Sequence, residues 1–143
     1  MNRRLILIFI PLLFTLTLFA QNNADDILGH YMSPEKNSIF KLYKEGDKYF
    51  GKMVWMKHPE RLDTLNPDKT KHGQKILGSV IGWDFVYTGK NSWSKGYIYD
   101  ANKGKIYRSH ITRDKHGNLL VRGFIGVSAI GKTEYFVKVH FKE

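Results

Sequence analysis

The chain has 143 residues, 23 lysines and arginines against 13 acidic residues, 14% aromatic content and no cysteine. That length suits one domain with a core of its own, and the lack of cysteine excludes disulfides, a cysteine nucleophile and a lipid-modified N-terminal cysteine. A positive charge of this size favours anionic partners, but the lysines are scattered rather than gathered in a run, which points to a solvated basic surface and away from nucleic acid.

Arg3 and Arg4 precede an apolar run from Leu5 to Ala20, broken only by Pro11, Thr15 and Thr17 and followed by the polar Gln21-Asn22-Asn23. This is the layout of a secretory signal peptide cut after Ala20, although Leu18 is bulky for a position three before the cut. The run of 16 residues is short of the about 20 that a spanning helix needs, so an uncleaved anchor is the lesser reading. Residues 1–20 are thus expected to direct the chain to the periplasm or out of the cell, and residues 21–143 to form a single domain. Without Arg3 and Arg4, that domain keeps 21 basic residues against 13 acidic ones.

Ile27 to Met32 reads as the first strand, stopped by Ser33-Pro34, and Ile39 to Lys44 as the second, ending in the turn Glu45-Gly46-Asp47. The third, Lys48 to His58, sets Tyr49, Gly51, Met53 and Trp55 on one face and Phe50, Lys52, Val54 and Met56 on the other, which suits a strand lining a cavity. From Pro59 to Gly73 the hydrophobic pattern stops. Asp63, Asn66 and Asp68 in this loop are weak candidates for a hard cation, because their oxygens suit calcium. Their spacing matches no EF-hand, and Asp and Asn beside Pro are ordinary turn residues, so no metal site is expected. His58 and His72 at the loop ends would need a third ligand to hold zinc.

Ser79 to Thr88 forms the fourth strand, with Trp83, Phe85 and Tyr87 on one face. Trp93 to Tyr107 is the best-specified local structure: Tyr97-Ile98-Tyr99, the turn cluster Asp100 to Gly104, then Ile106-Tyr107 make one β-hairpin. Lys105 to Thr112 completes its second arm, and Leu119 to Val127 follows the turn Asp114 to Asn118. In the last strand, Thr133 to Phe141, an apolar row of Tyr135, Val137, Val139 and Phe141 opposes a mostly wet row of Glu134, Phe136, Lys138 and His140. Eight meandering strands with short turns and no helical period make an all-β domain, and favour a small antiparallel up-and-down barrel over a sandwich, since closure removes exposed edges.

Gly29-His30-Tyr31, Tyr49 to Trp55, Gly96 to Asp100 with Gly104 to Tyr107, and Arg122 to Gly126 with Gly131-Lys132-Thr133 occur in that order. Together they resemble an uncharacterised family of exported bacterial proteins, the domain of unknown function 2147 (DUF2147), from about Asp26 to Val139. That resemblance carries no assigned activity. It implies a lipocalin-like, calycin-type barrel. Lipocalins open with Gly-x-Trp and seal the barrel floor by laying a basic residue of the last strand across that ring. Gly29, Tyr31 and Lys138 hold the corresponding places, a weaker stack than tryptophan with arginine, and Arg122 is the alternative cation.

Such a barrel is expected to bind one small apolar or amphipathic ligand. Trp55, Trp83, Tyr97, Tyr99 and Tyr107 would form the wall, and Arg108 or Arg122 would meet a carboxylate or phosphate head. The same aromatics could instead fill a solid core. The alternative function is an envelope interaction protein that docks on a protein or an anionic membrane through a basic aromatic face. An enzyme is not expected: Asp84, Asp100, Glu134 and the six histidines form no catalytic spacing, and Gly-x-Ser-x-Gly, His-Glu-x-x-His and phosphate-cradling loops are absent. No cofactor is implied.

Overall fold

The structure is a computed structural model that describes residues 23–143. The expected signal segment 1–20 and the boundary after Ala20 lie outside the described residues. Eight antiparallel strands follow one another: β1 (Gly29–Met32), β2 (Ser38–Glu45), β3 (Lys48–Met56), β4 (Val80–Gly89), β5 (Ser92–Asp100), β6 (Lys105–Arg113), β7 (Leu119–Phe124) and β8 (Gly131–Val139). Each pairs with the next. β8 returns to β1 through His30↔Val139, Tyr31↔Lys138 and Met32↔Val137, which closes the barrel. The all-β up-and-down barrel anticipated from the strand pattern is therefore the fold.

Because strand direction alternates, the β2–β3, β4–β5 and β6–β7 turns share one end with Asn23, where the described chain enters. The four other connections share the opposite end. The first of these ends is plugged. Asn23–Ile27 is a 3-10 helix, so β1 begins two residues later than the expected strand. Burial of Ala24 and Ile27 holds this turn against the barrel. Trp93 Nε1 donates to the Ala24 carbonyl at 3.1 Å, and the Tyr31 hydroxyl donates to the Ile27 carbonyl at 2.8 Å. Asp25 accepts from the Tyr49 hydroxyl at 2.6 Å and from Lys44 at 2.9 Å. These two donors hold its carboxyl below the usual range.

Tyr31, Leu42, Tyr49, Phe85, Trp93, Ile111 and Leu119 pack with Ala24 and Ile27 into one cluster behind the plug. Burying a large apolar side chain fully contributes roughly 1.5–3 kcal/mol, so this cluster contributes substantially to stability. Trp93 is its centre, with its ring 5.2 Å from that of Tyr87 and 6.3 Å from that of Tyr49.

Local irregularities re-aim several side chains. Phe40 pairs with Met53 and Ile39 with Trp55, which leaves Val54 as an extra residue in β3. A bulge of one residue exchanges the two faces beyond it, so Met53 and Met56 line the interior while Trp55 does not. Tyr49↔Phe85 and Gly51↔Gly82 leave one extra residue in β4, where Asp84 has φ 64°. Trp83 and Phe85, expected on one face, are thereby separated. In β5, Trp93↔Ile111 and Gly96↔Ser109 show the same excess at Lys95, φ 63°. β8 reverses the expected faces outright. Leu119↔Phe136 and Val121↔Glu134 put Phe136 and Glu134 inside. Tyr135 and Val137 are exposed on the outer wall.

Candidate functional site: a cavity at the open end

Past the packed cluster the barrel is hollow. A cavity of about 640 Å³ opens at the end opposite the plug, within the 300–1,000 Å³ usual for sites holding a small molecule. Its wall is mainly apolar, with Phe40, Met53, Ile81, Ile98, Val121 and Phe136 around it and Phe85 and Leu119 at its base. Small inward residues leave the space. Gly51 faces Gly82 between β3 and β4, and Gly123 lines the cavity from β7. The barrel is thus filled at one end and hollow at the other.

Charges ring the opening. Glu35, Lys57, His58, Arg61, Asp100 and Lys103 surround it, and Lys132 and Glu134 extend from the inward row of β8. Lys132 Nζ donates to Glu134 Oε1 at 2.8 Å, and this carboxylate pushes the lysine pKa up.

The long β3–β4 segment forms a cover beside that opening. Its ends meet in the bridge Leu62↔Lys75, and Ile76 is fully buried on the cavity side. Asp63 is buried too, and accepts from the Tyr99 hydroxyl at 2.5 Å and from Asn66 Nδ2 at 2.7 Å. Burial, then the bond to Asp63, pushes the Tyr99 pKa strongly upward. Arg61 donates to Asn102 Oδ1 at 2.6 Å and to the Ala101 carbonyl at 3.1 Å. At the hairpin tip, a Cβ on Gly104 would lie 2.1 Å from the Leu65 carbonyl oxygen, so the cover sits directly on the β5–β6 turn.

The oxygens named as weak cation ligands are thus engaged internally. Asn66 Oδ1 accepts from the Asp68 amide, and Asp68 Oδ1 accepts from the Thr70 amide and hydroxyl. His72 donates to the Asn66 carbonyl, while His58 faces Glu60 at 3.6 Å. Among the described residues, no group of three histidine, aspartate or glutamate side chains is placed to hold a metal ion.

Of the expected wall, Tyr99 and Tyr107 line the cavity. Trp83 and Tyr97 stack on each other along the outer wall, centroids 5.9 Å apart and planes at 18°. Arg108 lies over the Phe124 ring at 5.7 Å, also outside. Arg122 clasps the β7–β8 loop through the Ser128 and Ala129 carbonyls, at 2.7 and 3.1 Å, and Thr133 Oγ1 at 2.9 Å. At the closed end, Lys138 Nζ stands 5.9 Å from the Tyr31 ring centroid, at the outer limit of a cation–π contact of about 6 Å. A Cβ on Gly29, whose φ is 139°, would lie 3.2 Å from Lys138 Cε.

Several residues of the site carry no signal that a periodic pattern detects. Trp93 opens the hairpin, but its inward aim depends on the Lys95 bulge. Ile76 lies in a segment without pattern. Glu134 and Phe136 occupy what reads as the wet row of the last strand. Arg113 reaches Asp26 at 3.8 Å behind the floor, and only the closure of β6 beside the 3-10 turn brings them together.

No curated protein matches the chain. Among solved structures, the chain is similar to one described as "Protein HP1028 from the human pathogen Helicobacter pylori belongs to the lipocalin family", with a TM-score of 0.74 and 21% identity over 80% of this chain and 83% of that one. At that identity the likeness carries the fold, here a lipocalin-like barrel, and no activity. The sequence profile described as "Uncharacterized protein conserved in bacteria (DUF2147)" matches residues 29–138, from the first residue of β1 to the floor lysine of β8. The chain therefore belongs to the DUF2147 family of bacterial proteins.

Proposed function

We propose that this protein is an exported carrier that holds one small amphipathic molecule in the barrel, apolar part inward and polar head at the rim, without chemical turnover. The observation that carries this reading is the cavity of about 640 Å³, apolar in depth and charged at its edge. Removing apolar surface from water supplies the affinity, and the few charges at the opening fix the orientation. Lys57 and the Lys132–Glu134 pair are the groups nearest to a head group. They replace Arg108 and Arg122, which face outward.

Native mass spectrometry of protein purified gently from an envelope fraction, set against a refolded sample, tests the reading. An added mass lost on refolding is expected, while a bare chain in both samples would count against capture of an abundant envelope compound. Export rests on the layout of residues 1–20. Sequencing the purified protein should give Gln21 as its first residue, and an intact Met1 in a cytoplasmic fraction would refute export.

A second reading, docking on an envelope protein, is favoured by the outer row Trp83, Tyr97, Arg108 and Phe124, which the register places side by side from β4 to β7. In-cell photocrosslinking from position 97 should then trap a discrete partner, which Arg108→Glu would abolish.

A further inference from the structure

We propose that the β7–β8 loop is a membrane-docking tip that sets the mouth of the cavity against an anionic bilayer. The tip rests on the carrier reading for its purpose, but on separate observations for its substance. Ile125, Val127 and Ile130 are 66%, 61% and 76% exposed, the highest values among the large apolar side chains described. From Ile125 to Gly131 no residue carries a charge. An apolar cluster of this kind, rimmed by polar groups, marks a surface meant for contact.

The loop is also braced. Arg122 holds the Ser128 and Ala129 carbonyls, so those carbonyls stay hydrogen-bonded when the apolar side chains leave water. Leu62 and Leu65, exposed on the neighbouring cover, extend the apolar surface at the same end.

Charge selects the kind of bilayer. Between β3 and β4 the cover carries Lys57, Arg61, Lys69, Lys71 and Lys75 against Glu60, Asp63 and Asp68, and Asp63 is buried under Tyr99. Of these, Lys57 and Arg61 lie at the mouth, where they would meet anionic head groups as the tip enters the acyl boundary, and the excess of 21 basic over 13 acidic residues in the domain favours such a surface. Ile125 and Ile130 also line the cavity opening. Docking would therefore join the cavity to the acyl phase and let an amphipathic guest enter without crossing water.

The chain lacks cysteine, so Val127→Cys can be labelled at one site in the full-length protein with the polarity-sensitive fluorophore NBD. Asp47→Cys, in the β2–β3 turn at the plugged end, is the control. With vesicles containing phosphatidylglycerol, the label at position 127 should brighten several-fold and shift to the blue, and salt should weaken the response. The label at position 47 should stay silent. Ile130→Asp, at an exposed position, should lower vesicle binding roughly tenfold or more.

The proposal is overturned if position 127 stays in water while the protein binds vesicles, or responds equally to pure phosphatidylcholine. A response at position 47 instead would assign membrane contact to the end joined to the Leu5–Ala20 run, and would overturn it as well. Brightening in concentrated protein without vesicles would identify a second copy as the occupant, again against it. Uptake of N-phenyl-1-naphthylamine without vesicles separates the two readings. Wild type taking it up with a silent position 127 would remove the docking tip and leave the carrier. Insertion without uptake would do the reverse.

Discussion

A Cβ added to Gly96 would stand 2.3 Å from Cδ1 of Phe85, so the ring uses the space that a side chain on β5 would need. Phe85 is buried in the packed cluster, and backbone lies on the other side of the clash. Gly96→Ala should therefore lower stability by roughly 1–3 kcal/mol, the usual cost of overpacking, read as an earlier urea midpoint with an unchanged slope. A midpoint equal to wild type would mean that Phe85 has somewhere else to go. Tyr31 makes a second prediction possible at this scale. Burial first, with Asp26 adding to it and Arg113 opposing, raises its pKa to about 12. The unfolded phenol ionises near 10, so between the two values the unfolded chain binds fewer protons than the folded one. Stability should then fall as pH rises from about 10 to 12, by on the order of 2 kcal/mol, and level off above that. Wild type compared with Tyr31→Phe isolates the effect, because the lysines titrating nearby are common to both; equal slopes in the two proteins would refute it.

The β3–β4 cover is tied to the β5–β6 hairpin by the Tyr99–Asp63 bond and the two bonds of Arg61. Tyr99→Phe leaves a buried carboxylate with the Asn66 amide as its remaining side-chain donor, a loss of about 1–3 kcal/mol if the cover stays closed. The cheaper response is local opening, which rehydrates Asp63. Amide exchange in residues 61–76 should therefore accelerate while exchange in β5 and β6 does not change; acceleration across the whole barrel would show that the cover and barrel open as one unit. This element also marks where sequence reading stops. The hairpin, the turns and the eightfold meander follow from alternation and from Gly, Asn and Asp placement, which are local properties. Which face of a strand looks inward is local only until a bulge intervenes. Val54, Asp84 and Lys95 each shift the alternation by one residue, and Trp55, Trp83 and Tyr97 consequently fall outside a wall that Tyr99 and Tyr107 join. In β8 the difference has another source. The row with more apolar residues reads as the inner one, whereas pairing with Leu119 and Val121 on β7 and with Tyr31 on β1 decides the face. The docking of a patternless loop on a distant hairpin has no periodic signal at all.

A barrel filled at one end and hollow at the other divides its tasks along each strand, and β7 shows this over two residues. Leu119 belongs to the packed cluster and is fully buried. Val121, next on the same inward face, lines the cavity and pairs with Glu134 near the rim. Leu119→Ala removes fully buried atoms from the packed cluster, whose neighbours relax only in part, so it should cost about 2–5 kcal/mol. Val121→Trp instead extends a side chain into existing space, where overpacking does not apply, and its stability should stay within about 1 kcal/mol of wild type. Binding should show the opposite order. The tryptophan occupies the depth that an apolar tail needs, so the dissociation constant for N-phenyl-1-naphthylamine should rise at least about tenfold, equivalent to roughly one buried side chain's worth of apolar contact. L119A, where it remains folded, should bind within a few-fold of wild type, because it removes atoms only at the base of the cavity and leaves the wall intact. Unaltered binding by V121W would place the guest elsewhere, on the outer aromatic row or at the loop tip. Equal loss of stability in both variants would instead show that the whole barrel is packed as one, and that the open half is part of what keeps the closed half folded.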